Sequence, residues 1–269
     1  MRSSRQIEQL QRPVWGEYLR FEEEYRGRVM DGNPLLEEVG AWLDRHPGKR
    51  LRPLLVLLAA KASGRLTVSP DTGCGKHILL AAAMELLHNA SLMHDDVVDE
   101  SDARRGAASV RGHWGNQVAV LCGDWYLAQA MQLMQEAGSA EASAIVARTV
   151  QEMSRGELLQ LAVAGKRQIG LDEYLQVIGG KTASLLATCC ELGGVDRAFG
   201  YHYGIVFQLR DDMGSLNAAH DVALPKGVDA EALIERHTRL ALDALLPYPP
   251  SEALDAMRSL LLPSAPGPS

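Results

Sequence analysis

The sequence has no long hydrophobic run, no excess of positive charge and no paired-cysteine spacing, and each absence removes a class of function. No apolar stretch approaches the ~20 residues that cross a bilayer, so no transmembrane segment is expected. The 27 basic and 34 acidic residues leave a net charge of −7, which argues against nucleic acid as the main partner. Cys74, Cys122, Cys189 and Cys190 lack any Cys-x-x-Cys spacing, so they read as small core residues in a reducing cytoplasm rather than as a disulfide or zinc framework. The first residues hold no continuous apolar stretch, and no signal peptide is expected. Nothing resembling an internal repeat, a Ser/Gly linker or a charge block divides the 269 residues. One domain is therefore expected over residues 1–269, with a frayed Pro/Ser/Gly tail over 263–269. Alternating strand patterns and Asn-Gly hairpin signals are missing as well.

What is present is helical periodicity around a sizeable core, since 46% of the residues are hydrophobic. Helices are predicted over residues 7–30, 35–44, 54–61, about 76–98, 118–135, 139–164, 172–193, 196–216, 230–246 and 250–262, with residues 106–116 a loop. Pro34 suits a first helical turn, and Asp172 and Glu173 suit a helix start. The fold class is all-α, a single-domain helical bundle.

The chain is organised around Leu86-Leu87-His88-Asn89-Ala90-Ser91-Leu92-Met93-His94-Asp95-Asp96-Val97-Val98-Asp99. Ile78, Leu79, Ala82, Ala83, Leu86, Leu87 and Ala90 recur at helical spacing, and the apolar run ends in three carboxylates. Asp95 and Asp99 fall one turn apart on one helix face, with Asp96 beside Asp95. Carboxylates this crowded repel one another unless a hard cation lies between them. Oxygen-only ligands suit Mg²⁺, which commonly shares its shell with a substrate phosphate. Arg104-Arg105-Gly106 follows five residues after Asp99, and His88 lies two turns before Asp95.

Taken with Gly48-Lys49-Arg50-Leu51-Arg52-Pro53, the pattern His-x6-Asp-Asp-x2-Asp-x4-Arg-Arg-Gly resembles the trans-polyprenyl diphosphate synthases of the class I isoprenoid synthase family. The resemblance implies an isoprenoid synthase-like bundle around a central cavity. It also implies a prenyltransferase that joins isopentenyl diphosphate to an allylic prenyl diphosphate with Mg²⁺. By the same resemblance, Asp95, Asp96 and Asp99 bridge metal to the allylic diphosphate. Arg104 and Lys181, the latter in a Lys-Thr pair with Thr182, contact that same group. Lys49, Arg52, His88 and Arg105 hold isopentenyl diphosphate, and Gln208 lies near the substrates.

Asp211 and Asp212 match the second metal motif in part. The family pattern is Asp-Asp-x2-Asp, whereas this chain reads Asp211-Asp212-Met213-Gly214-Ser215, and Ala occupies position 219. Product length is expected from the helix face above Asp95. Small Ala90 and Ser91, opening toward Leu87 and Met84, leave room for a long all-trans chain, a precursor of a quinone side chain. A cytoplasmic homodimer is expected, and a heteromer with a homologous subunit is the alternative that the shortened second motif raises. A class I terpene cyclase is a third reading. The diphosphate-holding set Lys49, Arg52, His88 and Arg105 counts against it, because a cyclase has no second diphosphate to bind.

Overall fold

The computed structural model describes residues 4–30, 32–67, 75–104, 106–138, 140–163, 169–214 and 222–262. Arg105, Ser215, Cys74 and the tail over 263–269 lie outside the described residues. In chain order the helices are α1 (Ser4–Gln11), α2 (Trp15–Val29), α3 (Pro34–Arg45), α4 (Leu51–Ala62), α5 (Lys76–Val98) and α6 (Val110–Trp114). They continue as α7 (Asn116–Glu136), α8 (Ala140–Val163), α9 (Leu171–Ile178), α10 (Ser184–Gly193), α11 (Arg197–Gly214), α12 (Ala230–Ala244) and α13 (Glu252–Leu260). The fold is all-α apart from one two-residue hairpin, β1 (Ala103–Arg104) antiparallel to β2 (Ala107–Ala108).

Three local features depart from the periodic reading. The helix expected over 7–30 is broken by a 3-10 turn, Arg12–Val14, at Pro13, whose ring removes a backbone donor. The expected loop over 106–116 contains β2 and α6. Here Ser109 caps α6, accepting from the Gly112 amide at 2.9 Å. The continuous helix expected over 172–193 is interrupted by a π-turn, Gly179–Ala183. Such bulges are frequently found at functional sites.

The chain forms two compact units. The amino-terminal unit comprises Val14–Leu57 and Thr67–Ser143. Its centre is α5, buried on every face from Ile78 to Ala90 except at partly covered Leu79, and packed along α7. One side of α2 (Tyr18, Phe21, Tyr25 and Val29) is buried, at the three- and four-residue spacing that makes a stripe. α2 packs on α5, where the Asn89 amide donates to the Tyr25 hydroxyl at 2.9 Å. On α3, Asn33 caps the first turn and the Trp42 indole donates to the Ala108 carbonyl at 3.2 Å, tying the helix to the hairpin.

The carboxy-terminal unit comprises Met1–Pro13, Leu58–Leu66 and Ala144–Ser269. Tyr174, Ile178, Ala183, Ile205, Leu209 and Leu233 form a buried cluster that joins α9, the π-turn, α11 and α12. Close approach between α11 and the preceding segment depends on glycine. A Cβ at Gly204 would stand 2.5 Å from the Ala183 Cα, and one at Gly200 would stand 2.3 Å from the Leu186 carbonyl oxygen. That contact sets Gln208, one turn beyond Gly204, against the π-turn.

Candidate active site

In the amino-terminal unit the acidic end of α5 is shaped by the chain that leaves it. The Asp99 amide closes the helix on the Asp95 carbonyl at 2.8 Å, and Ser101 returns to the Asp96 carbonyl at 2.9 Å. Glu100, between them, takes a left-handed backbone (φ 50°). The Ser109 hydroxyl then donates to the Ser101 carbonyl at 2.6 Å, which folds the hairpin back over the helix end. This brings Arg104 to Asp96, with Nε and Nη2 each 2.8 Å from Oδ1.

The pair is asymmetric. Asp96 is buried, whereas the Arg104 side chain keeps 34% of its surface exposed. Burial is the largest influence on the Asp96 carboxyl and raises its pKa, with Arg104 opposing it only in part. Asp95 and Asp99 are half-buried beside it, one turn apart. His88 is buried on the same helix, and Lys49 and Arg52 are half-buried around the start of α4. Of the residues expected to set product length, Met84, Leu87 and Ala90 are buried and Ser91 is partly so. The Ser91 hydroxyl donates to its own helix, to the His88 carbonyl at 2.8 Å. Its side chain therefore presents little more than a small wall.

In the carboxy-terminal unit the π-turn carries Lys181 and Thr182. The Lys181 ammonium lies 2.7 Å from Glu157 and donates to Gln160 at 3.5 Å, both on α8. The Thr182 hydroxyl donates to the Gln208 carbonyl oxygen at 3.0 Å, and the Gln208 amide donates to Asp212 at 2.8 Å. The Tyr174 hydroxyl donates to the other Asp212 oxygen. Burial and the neighbouring carboxylate raise the Tyr174 pKa, so the phenol stays protonated and a donor. Asp211 is exposed beside this chain of bonds.

The donor chemistry at each acidic helix end fits a hard divalent cation, because Asp95 and Asp99 in the one unit, and Asp211 and Asp212 in the other, offer only oxygen. Among the described residues no three Asp, Glu, His or Cys side chains converge as a ready-made metal group. Asp96 is turned toward Arg104 instead. The sequence reading placed Asp96 with its two neighbours and gave it no cation of its own. It also missed Tyr174 and Glu157, for which no local signal exists: they lie 38 residues from Asp212 and 24 from Lys181. A further cavity of about 450 Å³, lined in part by Gly179, Gly180, Tyr201, His202, Arg155 and Arg197, was not foreseen either.

The sequence model of the polyprenyl synthetase family matches residues 33–232. The chain belongs to this family. Heptaprenyl diphosphate synthase component 2 of Geobacillus stearothermophilus is 34% identical over 220 residues, covering 77% of this chain and 67% of that protein. Octaprenyl diphosphate synthase of Escherichia coli (strain K12) is 34% identical over 195 residues, covering 68% of this chain and 58% of its own length. The aligned part thus spans between 58% and 67% of these two relatives. Among solved structures, a polyprenyl synthase from Caulobacter crescentus CB15 complexed with calcium and isoprenyl diphosphate is similar with a TM-score of 0.84 and 27% identity. That match covers 95% of this chain and 96% of the other. A decaprenyl diphosphate synthase from Rhodobacter capsulatus is similar with a TM-score of 0.80 and 27% identity, covering 95% of this chain and 97% of the other. The family membership and these neighbours make the helical fold an isoprenoid synthase fold.

Proposed function

We propose that this protein is a prenyltransferase. It joins isopentenyl diphosphate to an allylic prenyl diphosphate and makes a long-chain all-trans polyprenyl diphosphate, a precursor of a quinone side chain. The observation that carries this reading is the end of α5, where Asp95, Asp96 and Asp99 crowd together and Asp96 pairs with Arg104, in the same unit as Lys49, Arg52 and His88. An acid cluster serves a diphosphate that must ionise, and cations alone serve one that need only be held. The names of the relatives, hepta- and octaprenyl diphosphate synthase, support long products. So do the small Ala90 and Ser91 on the helix face above Asp95, leading toward Leu87 and Met84.

Asp95, Asp96 and Asp99 would hold Mg²⁺, which neutralises the leaving diphosphate when bound, and Asp211 and Asp212 would hold it at the second acidic motif. Arg104 exchanges its Asp96 partner for an allylic diphosphate oxygen, which its partly exposed side chain allows. Lys181 contacts the same diphosphate, steadied from behind by Glu157. Lys49, Arg52, His88 and Arg105 hold isopentenyl diphosphate. Thr182 and Gln208 fix the π-turn against Asp212. Aliphatic side chains exclude water from the allylic cation, and the proton lost after carbon–carbon bond formation goes to the released diphosphate.

Residues 1–269 act as one functional domain in the cytoplasm. No helix among the described residues is long and apolar enough to cross a membrane. Exposed Leu121 and Met131 on α7 and Leu158 and Leu161 on α8 support self-association as a homodimer. A second reading, a subunit active only with a homologous partner, is favoured by the incomplete acidic motif at Asp211-Asp212. The name "component 2" borne by the Geobacillus relative also favours it.

The deciding experiment incubates the purified protein with Mg²⁺, farnesyl diphosphate and labelled isopentenyl diphosphate, alone and mixed with a candidate catalytic homologue. Elongated product from the protein alone supports the enzyme, and product only from the mixture supports the subunit. A cyclic hydrocarbon made without isopentenyl diphosphate, or no product in either arm, overturns the reading.

A further inference from the structure

Arg50 lies between two residues given a role in diphosphate binding and has none itself. It is one of two described non-glycine residues with a left-handed backbone, at φ 44°. Glycine is the residue such a conformation favours, and Gly48 stands only two positions earlier. An arginine in this strained state points to a task for its side chain.

The side chain is nearly enclosed, with 7% of its surface exposed. Its Nη2 donates to Asp44 on α3 at 2.8 Å, and its Nη1 stands 2.8 Å from the Glu22 carboxylate on α2 as an ion contact. The guanidinium carbon lies 4.6 Å from the centre of the Tyr25 ring and 5.8 Å from that of Phe21. Burial works against the charge, but Glu22, Glu85, Tyr25 and Asp44 together outweigh it and raise the pKa, so Arg50 stays a cation. Tyr25, on which it rests, accepts from Asn89, the neighbour of His88 on α5. The Arg50 carbonyl accepts the first bond of α4, from Leu54 at 3.4 Å. One guanidinium thereby joins α2, α3 and the start of α4, and through Tyr25 reaches the turn of α5 that carries His88.

We propose that Arg50 is a positioning residue: a buried cation that holds the left-handed turn before α4 and so aims Lys49 and Arg52 at isopentenyl diphosphate. The inference rests on the functional reading given above. A residue relaxing to negative φ at position 50 would redirect the peptide carrying Lys49 relative to the helix carrying Arg52. Lysine cannot replace it fully, because a point charge does not match a planar fork that reaches two acids on two helices.

The test uses Arg50→Gly, which suits the backbone and removes the clamp, and Arg50→Lys, which keeps the charge and loses the fork. Calorimetric binding of isopentenyl diphosphate is measured beside steady-state kinetics for both substrates. For Arg50→Gly, the Kd and KM for isopentenyl diphosphate should rise about tenfold or more, with kcat and the allylic KM within about twofold. Arg50→Lys should fall between Arg50→Gly and the wild type. If Arg50→Gly fails to fold, the same split in Arg50→Lys decides. Unchanged Kd and KM for isopentenyl diphosphate overturn the proposal, as does equal weakening of both substrates in step with a lower Tm. A wild type that neither binds nor condenses isopentenyl diphosphate sinks the functional reading and this inference with it. A working wild type matched by both variants sinks this inference alone.

Discussion

The two acidic helix ends of this molecule are built on different electrostatic principles. At the end of α5 the buried carboxylate, Asp96, faces a cation, Arg104. At the end of α11 the half-buried carboxylate, Asp212, faces two neutral donors, Tyr174 and Gln208. A cation is a replaceable partner, since the diphosphate that the functional reading assigns to Arg104 would compete for it. The neutral donors are scaffolding: Gln208 is bonded to Thr182 on the π-turn, and Tyr174 belongs to the buried cluster beside it. The first site is therefore arranged to exchange partners and the second to hold one carboxylate still. Asp211, exposed, and Asp212, already occupied by donors, offer less to a metal than the three acids at the end of α5.

The largest expected effect tests this ranking directly. Asp95→Ala or Asp99→Ala should lower kcat by about 10³-fold, in line with the loss of a main electrostatic stabiliser. The fold should hold, because removing one of several crowded carboxylates relieves repulsion. Asp212→Ala should cost less. Steady-state turnover and thermal melts on the three variants check the order, and an Asp212→Ala loss exceeding that of Asp95→Ala would reverse the comparison.

A smaller effect is expected from Tyr174→Phe, which keeps the buried ring and removes one donor to Asp212. Loss of a partner at a buried polar group costs about 1–3 kcal/mol. Melting should drop by a few degrees, and the Mg²⁺ concentration for half-maximal turnover should rise about tenfold as Asp212 loses its fixed orientation. An unchanged metal curve would show that Asp212 does not serve the metal.

The contrast between the sites also explains what could be read from the sequence. The end of α5 was legible because its acids, His88 and the arginines lie within 18 residues and the apolar run before them has a helical period. The Arg104–Asp96 pair was not, since it depends on a hairpin of two residues per strand, too short for any alternating pattern. The Asp212 scaffold joins Tyr174, Thr182 and Gln208, from three separate elements, and no spacing rule links them. The π-turn over Gly179–Ala183 was invisible because its residues continue the helical period on both sides. Arg50 was legible as a cation in Gly-Lys-Arg-Leu-Arg-Pro, but its burial and positive φ depend on Glu22, Asp44 and Tyr25, which only the fold brings near.

Within the amino-terminal unit, Ser91→Phe should act on product length and little on rate. Its hydroxyl bonds to its own helix, so the substitution breaks no hydrogen bond to another element and adds a bulky ring. The product distribution should shift shorter by at least one isoprene unit, as read by chromatography of dephosphorylated products. A wild-type product no longer than the farnesyl or geranylgeranyl class would contradict the assignment of Ala90 and Ser91 as the wall that sets product length.

Acid should separate the two units most finely. His202 on α11 and His237 on α12 place their Nδ1 atoms 3.0 Å apart, with Arg236 nearby. Two imidazoles can share one proton across such a contact, and burial with the nearby arginine opposes charging both. Burial lowers the His237 pKa first, aided by His202 and Arg236, to about 4, and burial also lowers that of His202. A histidine whose folded pKa lies below its unfolded value of about 6.5 binds protons preferentially in the unfolded chain. Its contribution is therefore complete above that pH and is lost as the pH falls from about 6.5 toward about 4. α12 packs on α11, the helix that carries Gln208 and Asp212. Hydrogen exchange should accordingly show α11 and α12 losing protection over this window before α5 and α7 do. In His237→Gln, which cannot take up the proton, the loss of protection on acidification should be shallower. If α5 opens first, or if His237→Gln follows the wild-type pH curve, the pair is not what makes the carboxy-terminal unit the more acid-sensitive of the two.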